Sequence, residues 1–447
     1  MKSPSYLPNP EQFVSSSVSH SLPDLAQDLS PKDAVTAVND WLMDQVLGDA
    51  TAEDLLNGAL QALQNAGFPI TRAFFAFKVL HPLFDSLSFV WRKGQDIDIE
   101  SHTPNEEGTE NAFLNSPQNY LISQAQKTGL NRAEKLRLRR RLSGPDAELD
   151  FDILKQLAAD GITDYLAFVV VYDVARENGL VGSWSTDRPE GFSDDQIKEL
   201  RRFESRLAVA LKARSGEAIA RSVVDTYLGP DAGQKVLRGG IRRGDSQSID
   251  AIIWYSDLRE STALSERLSP LEFLELLDSY FECTAGAALA EGGEVLTMIG
   301  DAVLAIFPLH RFDSAKAAAQ AALRAASLAW TRAEETSAKR RSQNKLPFRF
   351  GLGLHVGDLL YGNIGVPERL QFTAVGPNVN VTARLEGLTR PLQSCILVTG
   401  DFAALLPDQA WEDKGQHLLR GLSTPVPVLS ILPPDKKNSQ PSVPGQN

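Results

Sequence analysis

Apolar residues along this chain recur with two different periods, and the changes of period mark its elements. "RAFFAFKVL" and "LSFVWRKG" read as strands, and "AFVVVYDV", rich in β-branched residues, reads as a buried one. "GLVGSWSTDRPEGF" is a strand end followed by turn residues. The period then lengthens. In "SDDQIKELRRFESRLAVALKARSG", Ile197, Leu200, Leu207 and Leu211 share one side of a helix, and Ser193 with Gln196 forms a capping-box pattern. The run "NRAEKLRLRRRLSG" (131–144) is expected to be a solvated helix face, balanced by the acidic "PDAELDFD" beside it.

The segment "GEAIARSVVDTYLGPDAGQKVLRGGIRRGDSQSID" joins the two halves: a helix to Leu228, a Gly-Pro-Asp break, then a Gly/Arg-rich stretch. Beyond it, the strand "AIIWYSD" precedes a helix in "SPLEFLELLDSYFECTAGAALAEGG" and an apolar hairpin in "GGEVLTMIGDAVLAIF". The Ala-rich helix "SAKAAAQAALRAASLAWTRAEE" follows, then a hairpin within "FRFGLGLHVGDLLYGNIG", the strand "LQFTAVG" and the helix "NVNVTARLEGL". Final strands are expected in "SCILVTG", "HLLRG" and "VPVLSIL". The order β-α-β-β-α-β predicts an α+β, ferredoxin-like domain with additions. The expected organisation is a mobile arm at 1–35, an α/β domain at 36–212, a linker at 213–245, the ferredoxin-like domain at 246–432 and a disordered tail at 433–447.

A length of 447 residues fits two domains. The net charge of −12 argues against nucleic acid and anionic membrane as general partners. Two cysteines, Cys283 and Cys395, lie outside any CxxC pattern, which disfavours a disulfide framework or zinc site and fits a cytoplasmic protein. No run of 18 apolar residues predicts a membrane span, and the polar, Pro/Ser-rich start lacks a signal-peptide core.

Two aspartates change the picture. Asp257 ends the strand "AIIWYSD", and Asp301 sits at the tip of the hairpin after it. In a βαββ unit the first strand lies beside the hairpin, so both carboxylates reach one rim and offer hard oxygen ligands to Mg²⁺ or Mn²⁺. Singly, each reads as an ordinary turn aspartate. Asn380 and Arg384, four apart in "NVNVTARLEGL", share a helix face suited to a ribose and a phosphate. "GLGLHVG" has the wrong spacing for a phosphate loop, and His355 within it reads as a strand histidine with a local hydrogen bond. The aromatic residues of 74–91 read as core.

"AIIWYSDLREST", "GGEVLTMIGDAVLAIF" and "FTAVGPNVNVTARLEGL", in this order and spacing, resemble the signature of class III nucleotidyl cyclases, the adenylate and guanylate cyclase family. "GITDYLAF" and "STDRPEGFSD" resemble, at fold level, the GAF-like domains that precede some bacterial cyclases. The first resemblance implies a head-to-tail homodimer. Asp257 and Asp301 of one subunit hold two Mg²⁺ or Mn²⁺ ions; Asn380 orients the ribose and Arg384 stabilises the α-phosphate from the other. It further implies phosphate contacts from Arg420 and from the "LREST" segment that includes Thr262. The base is read at Thr297 and Thr373. The implied reaction converts ATP to cyclic AMP and pyrophosphate, under control of a small-molecule or protein signal at the N-terminal domain.

Thr373 matches the adenylate pattern. Thr297 stands where adenylate cyclases usually carry lysine and guanylate cyclases glutamate, so GTP is the alternative substrate, alone or alongside ATP. Glu260 and Ser261 stand where Gly and Phe are common in the family. A reading from another class is a catalytically silent, cyclase-like sensor that binds nucleotide or dimerises; retention of Asp257, Asp301, Asn380 and Arg384 argues against it.

Overall fold

The computed structural model describes residues 29–79, 81, 84–103, 113–128, 135–173 and 178–431. The chain divides between Thr226 and Tyr227 into two units. In the first, the elements run α1 (Pro31–Leu47), α2 (Ala52–Asn65), β1 (Arg72–Lys78), β2 (Ser86–Arg92), β3 (Asp98–His102), α3 (Pro117–Thr128), β4 (Lys135–Arg141), α4 (Asp152–Ala159), β5 (Asp164–Asp173), β6 (Asn178–Thr186) and α5 (Asp194–Leu228). The strands form one antiparallel sheet in the order β3-β2-β1-β6-β5-β4.

Both faces of that sheet are covered, which explains the unbroken apolar run of β5. Phe168 and Val170 join Phe75, Trp184, Phe203 and Leu207 in one core; Tyr165, Ala167 and Val169 join Leu121 and Leu154 in another. The aromatics Phe75, Phe77, Phe89 and Trp91 are core, as expected. The Ser193–Gln196 capping box forms in both directions, at 3.0 and 3.3 Å.

Three expectations change in this half. Helix α1 opens at Pro31, inside the segment read as an arm; residues 1–28 lie outside the described ones. Lys135–Arg141 is a strand rather than a helix face. Its alternation is period two: Leu136 and Leu138 pack on the core, whereas Arg137 pairs with fully buried Glu204 and Arg139 with fully buried Asp164 at 2.7 Å. The acidic stretch does balance the run, through Arg140 with Glu148 and Asp150. In the joining segment the expected helix to Leu228 forms, but the stretch after the Gly-Pro-Asp break, read as Gly/Arg-rich, opens with a further helix.

The second unit contains α6 (Pro230–Leu237), β7 (Ser246–Leu258), α7 (Ser261–Arg267), α8 (Pro270–Ala290), β8 (Glu294–Ile299), β9 (Ala302–Pro308), α9 (Ala315–Ser342), β10 (Phe350–Val366), β11 (Arg369–Val375), α10 (Pro377–Gly387), β12 (Ile396–Thr399), α11 (Gly400–Ala404), β13 (Trp411–His417) and β14 (Val426–Ile431). The sheet order is β13-β14-β12-β10-β7-β9-β8, with β11 on β10. Its centre, β10-β7-β9-β8, is the strand order of the expected βαββαβ unit. The tail from residue 432 lies outside the described ones.

Strand alternation gives this sheet two faces. Ile252 and Trp254 of β7 pack with the alanines of α9 and with Tyr280 of α8. Ala251 and Ile253 pack on the other face with Ala232 of α6 and Tyr361 and Phe372 of the β10–β11 ribbon. Two sequence expectations fail here. "FRFGLGLHVGDLLYGNIG" is one long strand, and the hairpin turn comes after Val366. "HLLRG" begins at the last residue of β13 and then leaves the sheet; the edge strand is Trp411–His417.

The glycines of β10 make room for α10. A Cβ at Gly353 would lie 2.7 Å from the Thr382 carbonyl oxygen. At Gly351 it would collide with the Glu386 carboxyl, and at Gly357 with the Asn378 amide. All three residues occupy one face, and their missing side chains let α10 lie directly on the strand. No helix among the described residues is long and apolar enough to cross a membrane.

Candidate active site

The rim predicted from the sequence is present. In the sheet register Asp257 stands opposite Ala302 on one side and Gly351 on the other. Ile299 pairs with Ala302, so the hairpin loop is only Gly300-Asp301. Gly300 takes φ 62° and Asp301 does not share a positive φ, as in a two-residue turn with glycine first. The Leu258 N–H donates to the Asp301 carbonyl at 3.2 Å, which fixes the tip beside Asp257.

Electrostatics follow from this proximity. Burial first, and then the Asp301 carboxylate, push the Asp257 carboxyl up to about 6. Asp257 Oδ1 is buried without a hydrogen-bond partner. A third carboxylate, missed in the sequence, lies close: Glu386 is pushed up to about 7 by burial and by Asp257, with Arg259 opposing. Among the described residues, no three His, Cys, Asp or Glu side chains are grouped to hold one ion. Two oxygen-donating carboxylates with an orphaned oxygen fit a divalent cation whose remaining positions are filled by phosphate and water.

Asn380 and Arg384 occupy α10, which turns Val381, Thr382 and Leu385 inward. Asn380 is exposed and Arg384 half-buried. The Arg384 guanidinium lies against Gly421, where a Cβ would be 3.3 Å away, and Gly421 follows exposed Arg420 in the chain. Among the described residues, no hydrogen bond or ion pair joins Asn380 or Arg384 to either aspartate. The fold thus assembles the two aspartates at one rim, and α10 carries Asn380 and Arg384 together with Glu386, the residue that lies near Asp257.

Thr297 accepts a hydrogen bond from Gln371 Nε2 at 3.1 Å. Gln371 and Thr373 alternate along β11 and share a face. Gln371 was not singled out in the sequence; its spacing of two from Thr373 on a strand was the available signal. Thr262 lies in the first turn of α7, and its carbonyl accepts from Ser265 Oγ at 2.8 Å. Glu260, at the N-cap of that helix, sits in the left-handed region at φ 61°. Glycine relieves strain there, which accounts for the residue common at this position. His355 is structural as expected: Nδ1 lies 2.8 Å from Thr399 Oγ1 and Nε2 3.2 Å from Asn378 Oδ1.

Residues 245–427 match the family model described as the adenylate and guanylate cyclase catalytic domain. Adenylate cyclase 2 of Rhizobium meliloti is 31% identical over 224 residues, 49% of this chain and 59% of that protein. Adenylate cyclase 1 of the same organism is 28% identical over 207 residues, 44% of this chain and 30% of the relative. The chain therefore spans less than two thirds of either relative's length. The solved adenylyl cyclase CyaB from P. aeruginosa is similar at 27% identity with a TM-score of 0.38, over 42% of this chain and 96% of that one. With the aspartate rim and the α10 helix in register with the matched segment, residues 245–427 are a class III adenylate/guanylate cyclase catalytic domain.

Proposed function

We propose that the protein is an adenylate cyclase that closes ATP to 3′,5′-cyclic AMP with release of pyrophosphate. The observation that carries this reading is the Asp257–Asp301 rim with its orphaned carboxylate oxygen. The two aspartates would hold two Mg²⁺ or Mn²⁺ ions. Bound there, such ions make the ribose 3′-hydroxyl more acidic and offset phosphate charge. In the reaction the ribose 3′-hydroxyl gives up its proton to water, its oxygen forms a bond to the α-phosphorus, the bond from the α-phosphorus to the oxygen bridging the β-phosphate breaks, and that electron pair leaves with pyrophosphate. Arg384 meets the charge that builds on the α-phosphate, Asn380 orients the ribose, and Arg420 and the segment at Thr262 receive the phosphate chain.

This arrangement calls for a second copy of the chain. By the family resemblance, Asn380 and Arg384 of one subunit would complete the site at the aspartates of the other in a head-to-tail homodimer. Exposed Met298, Ile299, Leu360, Ile364, Val366 and Val375 give the hairpin tip and the β10–β11 ribbon an apolar surface for that partner. The first unit reads as a GAF-like regulatory domain that takes a small-molecule or protein signal, and the whole as cytoplasmic.

The second reading is a guanylate or dual-specificity cyclase. One observation favours it: Thr297 lies against the Gln371 amide, and both groups donate and accept. Turnover of purified protein with ATP and GTP, each under Mg²⁺ and Mn²⁺, tests both. Cyclic AMP as the main product supports the first reading, cyclic GMP the second, and neither product removes both.

A further inference from the structure

Helix α6 was not singled out in the sequence, and its position is specific. Gly229, at φ 84°, ends the preceding helix, and Pro230 opens α6. Ala232 is buried and Val236 half-buried on the sheet face that holds Ala251, Ile253, Leu304, Ile306, Tyr361 and Phe372. That face also carries Asp257, which alternates with Ile253 and Tyr255 along β7.

A charged network ties α6 down. Asp231 pairs with Lys235 at 2.6 Å and with Arg311 at 2.8 Å. Arg311 also pairs with Glu294, and the Tyr361 hydroxyl donates to Glu294 Oε2 at 3.0 Å. The Lys235 ammonium lies 4.5 Å from the centre of the Tyr361 ring and 5.9 Å from that of Phe372. Burial pushes the Glu294 carboxyl up, with Arg311 opposing, so the acid is held in a demanding environment.

The two anchors sit on the two strands that carry Thr297 and Thr373. Glu294 begins β8, three residues before Thr297. Phe372 lies between Gln371 and Thr373 on β11. In the sheet, β8 pairs with β9 and β11 pairs with β10, so no ladder fixes β8 against β11. Among the described residues, the Gln371–Thr297 side-chain hydrogen bond joins them, and it is exposed. An exposed hydrogen bond is a weak spacer.

We infer that α6 is a clamp that sets the spacing of β8 and β11, and that Lys235 and Glu294 are positioning residues for recognition of the nucleotide base. What those strands recognise rests on the cyclase reading; the clamp itself does not. Because α6 follows α5 directly in the chain, a change in α5 reaches base recognition through the shortest covalent route, a single glycine.

Lys235→Met removes the charge and keeps most of the stem, Lys235→Arg keeps the cation over the rings, and Glu294→Gln removes the pairing with Arg311. Amide hydrogen exchange on the whole 447-residue chain reads the clamp without turnover. In Lys235→Met and Glu294→Gln, exchange in 294–299 and 369–375 should rise while that in β12 and β14 holds, and Lys235→Arg should follow wild type. A cation–π contact of this kind corresponds to roughly threefold to tenfold. The nucleotide KM should rise by about that factor and the ATP:GTP preference should change, with kcat within about twofold. Unchanged exchange in both strands, or a uniform rise across the unit, overturns the clamp. A wild type that turns over neither nucleotide overturns the base-recognition role, with the exchange result still deciding the clamp.

Discussion

Asp257 and Asp301 meet across the β7–β9 edge, with the Leu258 amide bonded to the Asp301 carbonyl at 3.2 Å and Asp257 Oδ1 left without a partner. Two carboxylates held this way repel in the absence of a cation. Asp257 rises from 3.8 to about 6, and nearby Glu386 from 4.5 to about 7. The folded protein binds these protons more tightly than the unfolded chain does. Their contribution to stability is therefore full below about pH 4 and is lost as pH rises through 6 to 7.

Asp257→Asn removes that repulsion. At pH 7.5 without divalent ions the variant should melt above wild type, and the difference should vanish below about pH 4. Mn²⁺ should raise the melting temperature of wild type and not of the variant. Cyclase turnover should fall by about a hundredfold or more. A variant that melts lower at pH 7.5, or that keeps its turnover, speaks against a metal-binding pair.

Asp257→Ala and Arg384→Ala proteins should each be nearly inactive. Mixed and allowed to exchange subunits, they should regain activity, because one of the two heterodimer sites then carries both residues. Heterodimers shown to form yet lacking activity would mean that each site is built within one chain.

Gln371 Nε2 donates to Thr297, which leaves the Thr297 O–H to donate to adenine N1. Thr297→Lys, a fixed donor, should shift the kcat/KM ratio toward ATP by roughly tenfold, the equivalent of about 1.4 kcal/mol. Gln371→Glu draws the threonine hydrogen to itself and leaves a lone pair for guanine N1–H, so the ratio should move toward GTP. Equal ratios in all three proteins would show that the base is read elsewhere.

Glu260 holds a left-handed backbone at φ 61° at the start of α7. Glu260→Gly should stabilise the protein by ~1 kcal/mol and, by removing a carboxylate beside Thr262, lower the nucleotide KM. Thermal melting and steady-state kinetics check the two effects separately. A lower melting temperature would show that the glutamate makes a compensating contact.

Deleting residues 1–212 should alter turnover or its response to small molecules, since α5 leads from the first unit straight into α6. Identical kinetics with and without that segment would make the first unit a passive attachment.

Period and punctuation along the chain were enough to read most of the elements. The strands β1 and β2, the Ser193–Gln196 box and the Gly300-Asp301 turn depend on neighbours within a few residues, and each formed as read. The two aspartates were legible because a strand end and a hairpin tip are local features, and the βαββ order brings them together. The arginine run failed for the opposite reason. In "KLRLRRR" the period-two leucines are few, and the acids that neutralise Arg137 and Arg139 are Glu204 and Asp164, tens of residues away. The stretch "FRFGLGLHVGDLLYGNIG" was read as a hairpin, whereas it is one strand, because the use of its glycines, clearing space for Thr382, Asn378 and Glu386 on α10, exists only once the helix has docked. Glu386 and Gln371 became visible in the same way.

The amino-acid sequence by itself determined most of the helices and strands, and which carboxylates stand at turn tips, because backbone preference and side-chain period act over a few residues. Only the tertiary structure decided that Glu386 crowds Asp257, that Gln371 polarises Thr297, and that α6 bridges β8 and β11 through Lys235 and Glu294. Those relationships join residues far apart along the chain. Their energies come from burial and from charges brought within a few ångströms, and neither exists until the sheet has closed its neighbours around them.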